Sequence, residues 1–218
     1  CDEEYEGGVL DLLTQLVNKS LVVADRVSGE QTRYTLHETI REYGLERLNE
    51  ENALEPMRDR HAAFYCRLAE EAEPQLYRAG QIPWMDRLEE SYDNLRAALN
   101  WALIEQPMNA QMGLRLAAAL AFYWEMRGLL VEGHRWLTAA LERIDSADVP
   151  LRAWFYLNAG NFWLEHGYFW GVSAMTYGQE SLSLYQRLED ERGIAWTMRL
   201  LGNCTLYSKG EFDQAASL

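Results

Sequence analysis

Asn18-Lys19-Ser20 ends in the lysine and hydroxyl pair with which a phosphate-binding loop closes on a nucleotide. The glycines that would turn backbone amides toward the phosphates are missing before it, so this stretch is not expected to bind or hydrolyse ATP. His61, His134 and His166 have no second ligand three or four residues away, which excludes a His-Glu-x-x-His metal site. Each reads as a polar helix residue. The 34 acidic residues offer no pair that spacing alone marks as catalytic, and runs such as Glu50-Glu51 and Glu189-Asp190-Glu191 read as solvated faces or loops. No catalytic and no metal-binding residue is therefore expected, and nothing positive points to an enzyme. Cys1, Cys66 and Cys204 are odd in number and widely spaced, which suits reduced thiols in a cytoplasm, with Cys66 and Cys204 acting as small buried hydrophobes. Tyr168, Phe169 and Trp170 cluster beside a turn after Gly167, where apolar rings are costly if left wet. They are candidates for binding a peptide or partner helix. An equal alternative is that they cap the neighbouring helices.

The elements that must position these residues follow from composition and period. Of 218 residues 48% are hydrophobic and 12% aromatic, enough for one or two sizeable cores. The formal net charge of −14 repels phosphate backbones at long range and argues against unspecific nucleic-acid binding. No run of 18 apolar residues is present, and the acidic start Cys1 to Glu6 does not resemble a secretory signal, so a cytoplasmic protein with no membrane partner is expected.

Apolar residues from Val9 to Val17 recur at helical spacing, and the helix is expected to end near Asn18. Leu21-Val22-Val23-Ala24 and Thr32-Arg33-Tyr34-Thr35-Leu36 then read as two strands of a hairpin around Ser28-Gly29-Glu30. Helix resumes over residues 39–48. Helix, hairpin and helix together form the closing half of a winged-helix unit. Its first helix would expose Asp11, Thr14 and Gln15 and carries no arginine, while Lys19, Arg26 and Arg33 lie at its end and on the wing. That is too small a basic footprint for direct DNA binding. Beyond residue 52 the strand signal disappears. Pro56, Pro83, Pro107 and Pro150 mark helix starts, Pro74 is expected to kink a helix, and two core-facing stripes are expected: Phe64, Leu68, Ala72, Leu76, and Leu88, Tyr92, Leu95, Leu99, Ala102.

In the last hundred residues one punctuation recurs: a small residue in an apolar helix, a glycine turn, and a small residue opening a second apolar helix. One copy runs Leu157-Asn158-Ala159-Gly160-Asn161-Phe162-Trp163, turns at Gly167 and continues through Ala174, Ser181 and Leu182. A second begins at Leu120-Ala121 with Trp124, turns at Gly128 and continues through Gly133, Leu137 and Ala140. A third begins at Leu200-Leu201-Gly202-Asn203 and turns at Gly210. Small residues allow close helix contact and glycine makes the turn. This pattern resembles the tetratricopeptide repeat, with two extra residues before Ala174 and a spacing of eight from Gly202 to Gly210 as departures.

Leu16-Val17-Asn18-Lys19-Ser20-Leu21, Arg33-Tyr34-Thr35-Leu36-His37-Glu38-Thr39-Ile40-Arg41-Glu42-Tyr43, Arg60-His61-Ala62-Ala63-Phe64-Tyr65 and Glu90-Ser91-Tyr92-Asp93-Asn94-Leu95-Arg96-Ala97-Ala98-Leu99-Asn100-Trp101 together resemble a known arrangement. It is the winged-helix, linker and tetratricopeptide-like region of bacterial signal-transducing ATPases of the STAND class, many of them transcriptional activators. In that family the strand-to-helix junction often carries Met-His-Asp, whose histidine touches the β-phosphate of bound ADP; Leu36-His37-Glu38 matches it here. The resemblance implies a nucleotide-sensing role for His37, against the alternative of a surface or capping histidine. It also implies a nucleotide-binding domain in cis, with ADP or ATP held by the parent protein and no cofactor in this stretch.

The expected architecture is mostly α: the end of a winged helix over residues 1–51, a helical bridge over 52–108, and an α-α superhelix of tetratricopeptide-like hairpins over 109–218, the third cut short. The expected function is a sensor and protein-interaction arm, with a protein or small-molecule inducer on the repeats. The rival is a free-standing repeat scaffold that joins partners without nucleotide.

Overall fold

The computed structural model describes residues 8–26, 32–106, 110–166 and 173–209. It is mostly α, with one two-stranded antiparallel sheet among these residues. The chain divides into two units, residues 1–57 and 58–218.

In the first unit, α1 spans Val9–Asn18 and stops where Ser20 takes a left-handed backbone (φ 56°) and the Leu21 amide donates to the Leu16 carbonyl at 3.0 Å. Strands β1 (Val22–Arg26) and β2 (Thr32–Leu36) follow, paired from Val22 against Leu36 to Arg26 against Thr32. Helix α2 spans Glu38–Glu50, with a Glu38–Arg41 ion pair in its first turn. It ends through Asn52, left-handed at φ 55°, a residue type that tolerates that conformation, and the Ala53 amide returns to the Leu48 carbonyl at 2.8 Å. Among the described residues of this unit Val22 alone is buried.

The second unit holds the large core. Helix α3 (Leu54–Ala72) stops at Ala72 because Pro74, lacking an N–H, cannot continue the ladder; a 3₁₀ turn at Glu73–Gln75 redirects the chain. Pro74 thus ends a helix where a kink was expected. Phe64 departs from its expected stripe: it is 51% exposed, while the inward face of α3 runs through Ala62, Cys66, Ala69 and Ala72. The next stripe crosses a break at Ser91 between α4 (Gln81–Glu90) and α5 (Tyr92–Asn100), and Leu88, Leu95, Leu99 and Ala102 are all buried. A π-helical turn, Trp101–Glu105, follows; the buried Trp101 indole donates to Asp59 Oδ1 at 2.8 Å.

Helices α6 (Ala110–Met126) and α7 (Leu130–Leu141) form a hairpin around Gly128, whose φ of 67° is one that glycine adopts freely. α6 is apolar nearly all round and packs on both α7 and α8 (Val149–His166). Its run Ala117-Ala118-Ala119-Leu120-Ala121 is buried, as are Trp124 and Trp163 at the motif's large position. Gly133 of α7 explains one close approach: a Cβ there would sit 2.7 Å from the Phe162 ring. Helix α9 (Ala174–Leu188) pairs with α8, and α10 (Glu191–Lys209) packs against both. A buried hydroxyl chain ties these three: Ser181 Oγ donates to the Ala153 carbonyl at 2.9 Å and lies 3.1 Å from Thr197 Oγ1, which donates to the Gly193 carbonyl at 2.8 Å. Arg115 of α6 makes a two-pronged pair with Glu70 of α3 at 2.7 and 2.6 Å, so the expected bridge and the repeats share one core.

Candidate functional site

α8 places Trp154, Leu157, Asn158 and Asn161 at i, i+3, i+4 and i+7, a single helical face. α10 contributes Arg192, Gly193, Trp196 and Arg199, at i, i+1, i+4 and i+7. These two faces, closed at the sides by the turn after α3 (Glu73, Pro74, Tyr77, Arg78) and by Tyr185 and Asp190, line a cavity of about 360 Å³. That lies within the ordinary range for a small-molecule pocket, roughly 300–1,000 Å³.

The walls are aromatic and ordered by polar contacts. Tyr77 stacks on Phe122 with ring centroids 4.3 Å apart and stands 6.5 Å from Trp196. Tyr77 is 44% exposed and Trp196 42%, a conspicuous amount of open ring for a unit whose core tryptophans are sealed. The Arg199 guanidinium lies 5.0 Å above the Trp196 ring and donates to Asn161 Oδ1 at 3.3 Å. Asn161 in turn donates to the Leu157 carbonyl at 2.9 Å, and Asn158 to the Trp154 carbonyl at 3.0 Å, so both amides are held on the α8 backbone.

The two acids of the lining are each constrained. Asp190 Oδ1 accepts the Gly193 amide at 3.0 Å and so caps α10. Burial raises the Glu73 carboxyl above its ordinary value, with Arg192 acting in the opposite direction. Burial, with Asp190 and Glu73 behind it, pushes the Tyr185 hydroxyl up to about 12, so it is a neutral donor at physiological pH.

His37 stands at the start of α2 with an extended backbone (φ −63°, ψ 144°); its carbonyl accepts the Ile40 and Arg41 amides, and its ring makes no capping hydrogen bond. It belongs to the first unit and the cavity to the second. Tyr168, Phe169 and Trp170 lie outside the described residues. His134 accepts from the Trp163 indole at 3.3 Å, and burial lowers its pKa, as suits a neutral packing histidine. Cys66 and Cys204 are buried free thiols, pushed up to about 12 and about 11 by desolvation. Among the described residues no cluster of histidine, cysteine or carboxylates is built to hold a metal ion, and no helix is long and apolar enough to cross a membrane.

The cavity was not expected from the sequence. Its traces there are two asparagines four and seven residues after Trp154 on α8, and an arginine, tryptophan and arginine at matching spacing on α10. What spacing cannot show is that these two faces meet each other.

The described residues form a mostly α protein with a small β-hairpin and a cavity lined by aromatic and polar residues. Over 134 residues, 62% of this chain, it is 40% identical to proteins of Mycobacterium bovis and of two strains of Mycobacterium tuberculosis, each named "Putative HTH-type transcriptional regulator". The match covers 15% of each relative's length. No protein-family profile matches the chain, and no solved structure matches it.

Proposed function

We propose that this chain is the sensor and protein-interaction arm of a transcriptional regulator whose parent protein is a signal-transducing ATPase working in the cytoplasm. The observation that carries this reading is the 40% identity to relatives named as HTH-type transcriptional regulators. The cavity lined by α8 and α10 supplies what a sensor needs, an open pocket for an inducer with aromatic lining and fixed polar groups.

In this reading the arm does no chemistry. An inducer is bound on the repeats, and its binding shifts how the helix–hairpin–helix unit packs on a nucleotide-binding domain in cis. His37 fits the nucleotide-sensing role by its position: an exposed imidazole at a helix start, uncommitted to capping, can donate to a phosphate. ADP, when bound by the parent protein, would supply the resting-state contact and ATP the active one. The helix–hairpin–helix unit itself offers little to DNA, since α1 exposes Asp11, Thr14 and Gln15.

Two measurements on the complete protein test this. Nucleotide released by heat from the purified protein should contain ADP or ATP, and His37→Ala should lower the retained ADP several-fold. Deleting residues 58–218 should make a reporter from the protein's own target promoter insensitive to inducing conditions. Absence of nucleotide removes the ATPase reading and leaves the repeat scaffold; an unchanged reporter response removes the sensor reading.

A further inference from the structure

Resting on that reading of the α8–α10 cavity as a sensor site, we infer that its ligand is a small planar aromatic carboxylate. Charge is the first argument. The chain carries 34 acidic and 20 basic residues, yet Arg78, Arg192 and Arg199 converge on one cavity. No carboxylate lies within ion-pair distance of any of the three among the described residues, whereas Arg96, Arg115 and Arg127 of the same unit each hold one at 2.6–2.9 Å.

The acids of the lining reduce this excess without removing it. Two carboxyl groups, Asp190 and Glu73, face three guanidiniums, and Asp190 directs one oxygen at the Gly193 amide. A guanidinium that no carboxylate touches is open to an anion, because its planar fork matches two carboxylate oxygens. Arg199 is already oriented by Asn161 and by the face of Trp196, so less freedom is lost when an anion arrives.

Shape and polarity supply the rest. Tyr77, Trp154, Tyr185 and Trp196 all line the same space, which favours a flat aromatic body over a flexible chain. A volume of about 360 Å³ holds a one- or two-ring molecule and is too small for a folded peptide segment. An aromatic carboxylate, its charge met by the arginines and its ring by the aromatic lining, satisfies both features at once.

The test titrates benzoate, salicylate and naphthoate, each beside its own carboxamide, into the 218-residue chain, read by calorimetry and tryptophan fluorescence. At least one carboxylate should bind, its carboxamide at least about tenfold more weakly. Added salt should weaken the carboxylate alone. The double change Arg192→Gln and Arg199→Gln should lower carboxylate affinity by about tenfold or more, while Arg135→Gln, whose guanidinium lies over Trp136 away from the cavity, should leave it unchanged. Carboxamides that bind as tightly as carboxylates, or a panel in which nothing binds, overturn the inference. Either of those results leaves the reporter response of the complete protein to judge the sensor reading independently. A carboxylate that binds while the reporter ignores residues 58–218 upholds the site and removes the sensor role.

Discussion

Glu73 is where a single side chain reports on the cavity. Burial holds its folded-state pKa above the ordinary 4.5, against the pull of Arg192. A carboxyl with a raised folded pKa contributes stability that is fully present below the unfolded value and is lost as pH rises through the folded one. An ionised Glu73 is therefore a cost to the folded state that burial imposes. Glu73→Gln, which cannot ionise, should raise the melting temperature by roughly 1–2 °C at pH 7, and the difference from the parent chain should vanish below about pH 4. A gain that persists in acid would assign the effect to packing and not to charge. The same substitution should tighten binding of an aryl carboxylate, because it removes a repelling group from the lining.

At the scale of elements, stability rests on glycines that let helices meet. Gly193 opens α10 beneath Tyr185, and a Cβ at that position would run into the tyrosine ring, which is itself a wall of the cavity. Gly193→Ala should cost about 1–3 kcal/mol by overpacking, seen as a lower denaturation midpoint. Gly44, inside α2, has nothing within 4 Å of an added Cβ. Gly44→Ala should instead leave the midpoint unchanged or raise it, since alanine is favoured over glycine in a helix by roughly 0.5–1 kcal/mol. A Gly193→Ala chain whose midpoint is unchanged or raised, as at Gly44, would mean that the close contact with Tyr185 does not limit the α9–α10 junction. The hydroxyl chain Ser181, Thr197 and the Gly193 carbonyl lies under the same junction, so the element that forms the cavity floor is pinned by polar contacts as well as by packing.

For the whole molecule the dominant quantity is the net charge of −14. A field of that sign opposes a phosphate backbone, so random-sequence duplex DNA should produce no change in fluorescence anisotropy with this chain at physiological salt. Binding that falls steeply with added salt would reveal a basic footprint that the described residues do not carry. Three arginines lining one small cavity stand against that field: an acidic exterior lowers the local concentration of large polyanions, while solvent-facing guanidiniums grouped at one cavity still attract a small anion at short range.

Much of this could be read from the chain itself, because local forces decide it. The α1 bounds, the antiparallel pairing of β1 with β2, the turn at Gly128 and the burial of Trp124 and Trp163 follow from short-range periodicity, turn chemistry and the demand that large rings leave water, while the expected turn at Ser28-Gly29-Glu30 lies outside the described residues. Phe64 was legible only in part: its spacing fits an apolar stripe, but the orientation of α3 turned the neighbouring Ala62 and Cys66 inward and left the ring outside. The cavity is of another kind. Pro74 and Tyr77, the α8 face and the α10 face lie far apart in sequence, and each alone is an unremarkable mixture of aromatic and polar residues. Only helix packing, with Gly193 against Tyr185 and Ser181 against Thr197, brings them around one space, and it is that meeting which turns scattered arginines and rings into a site.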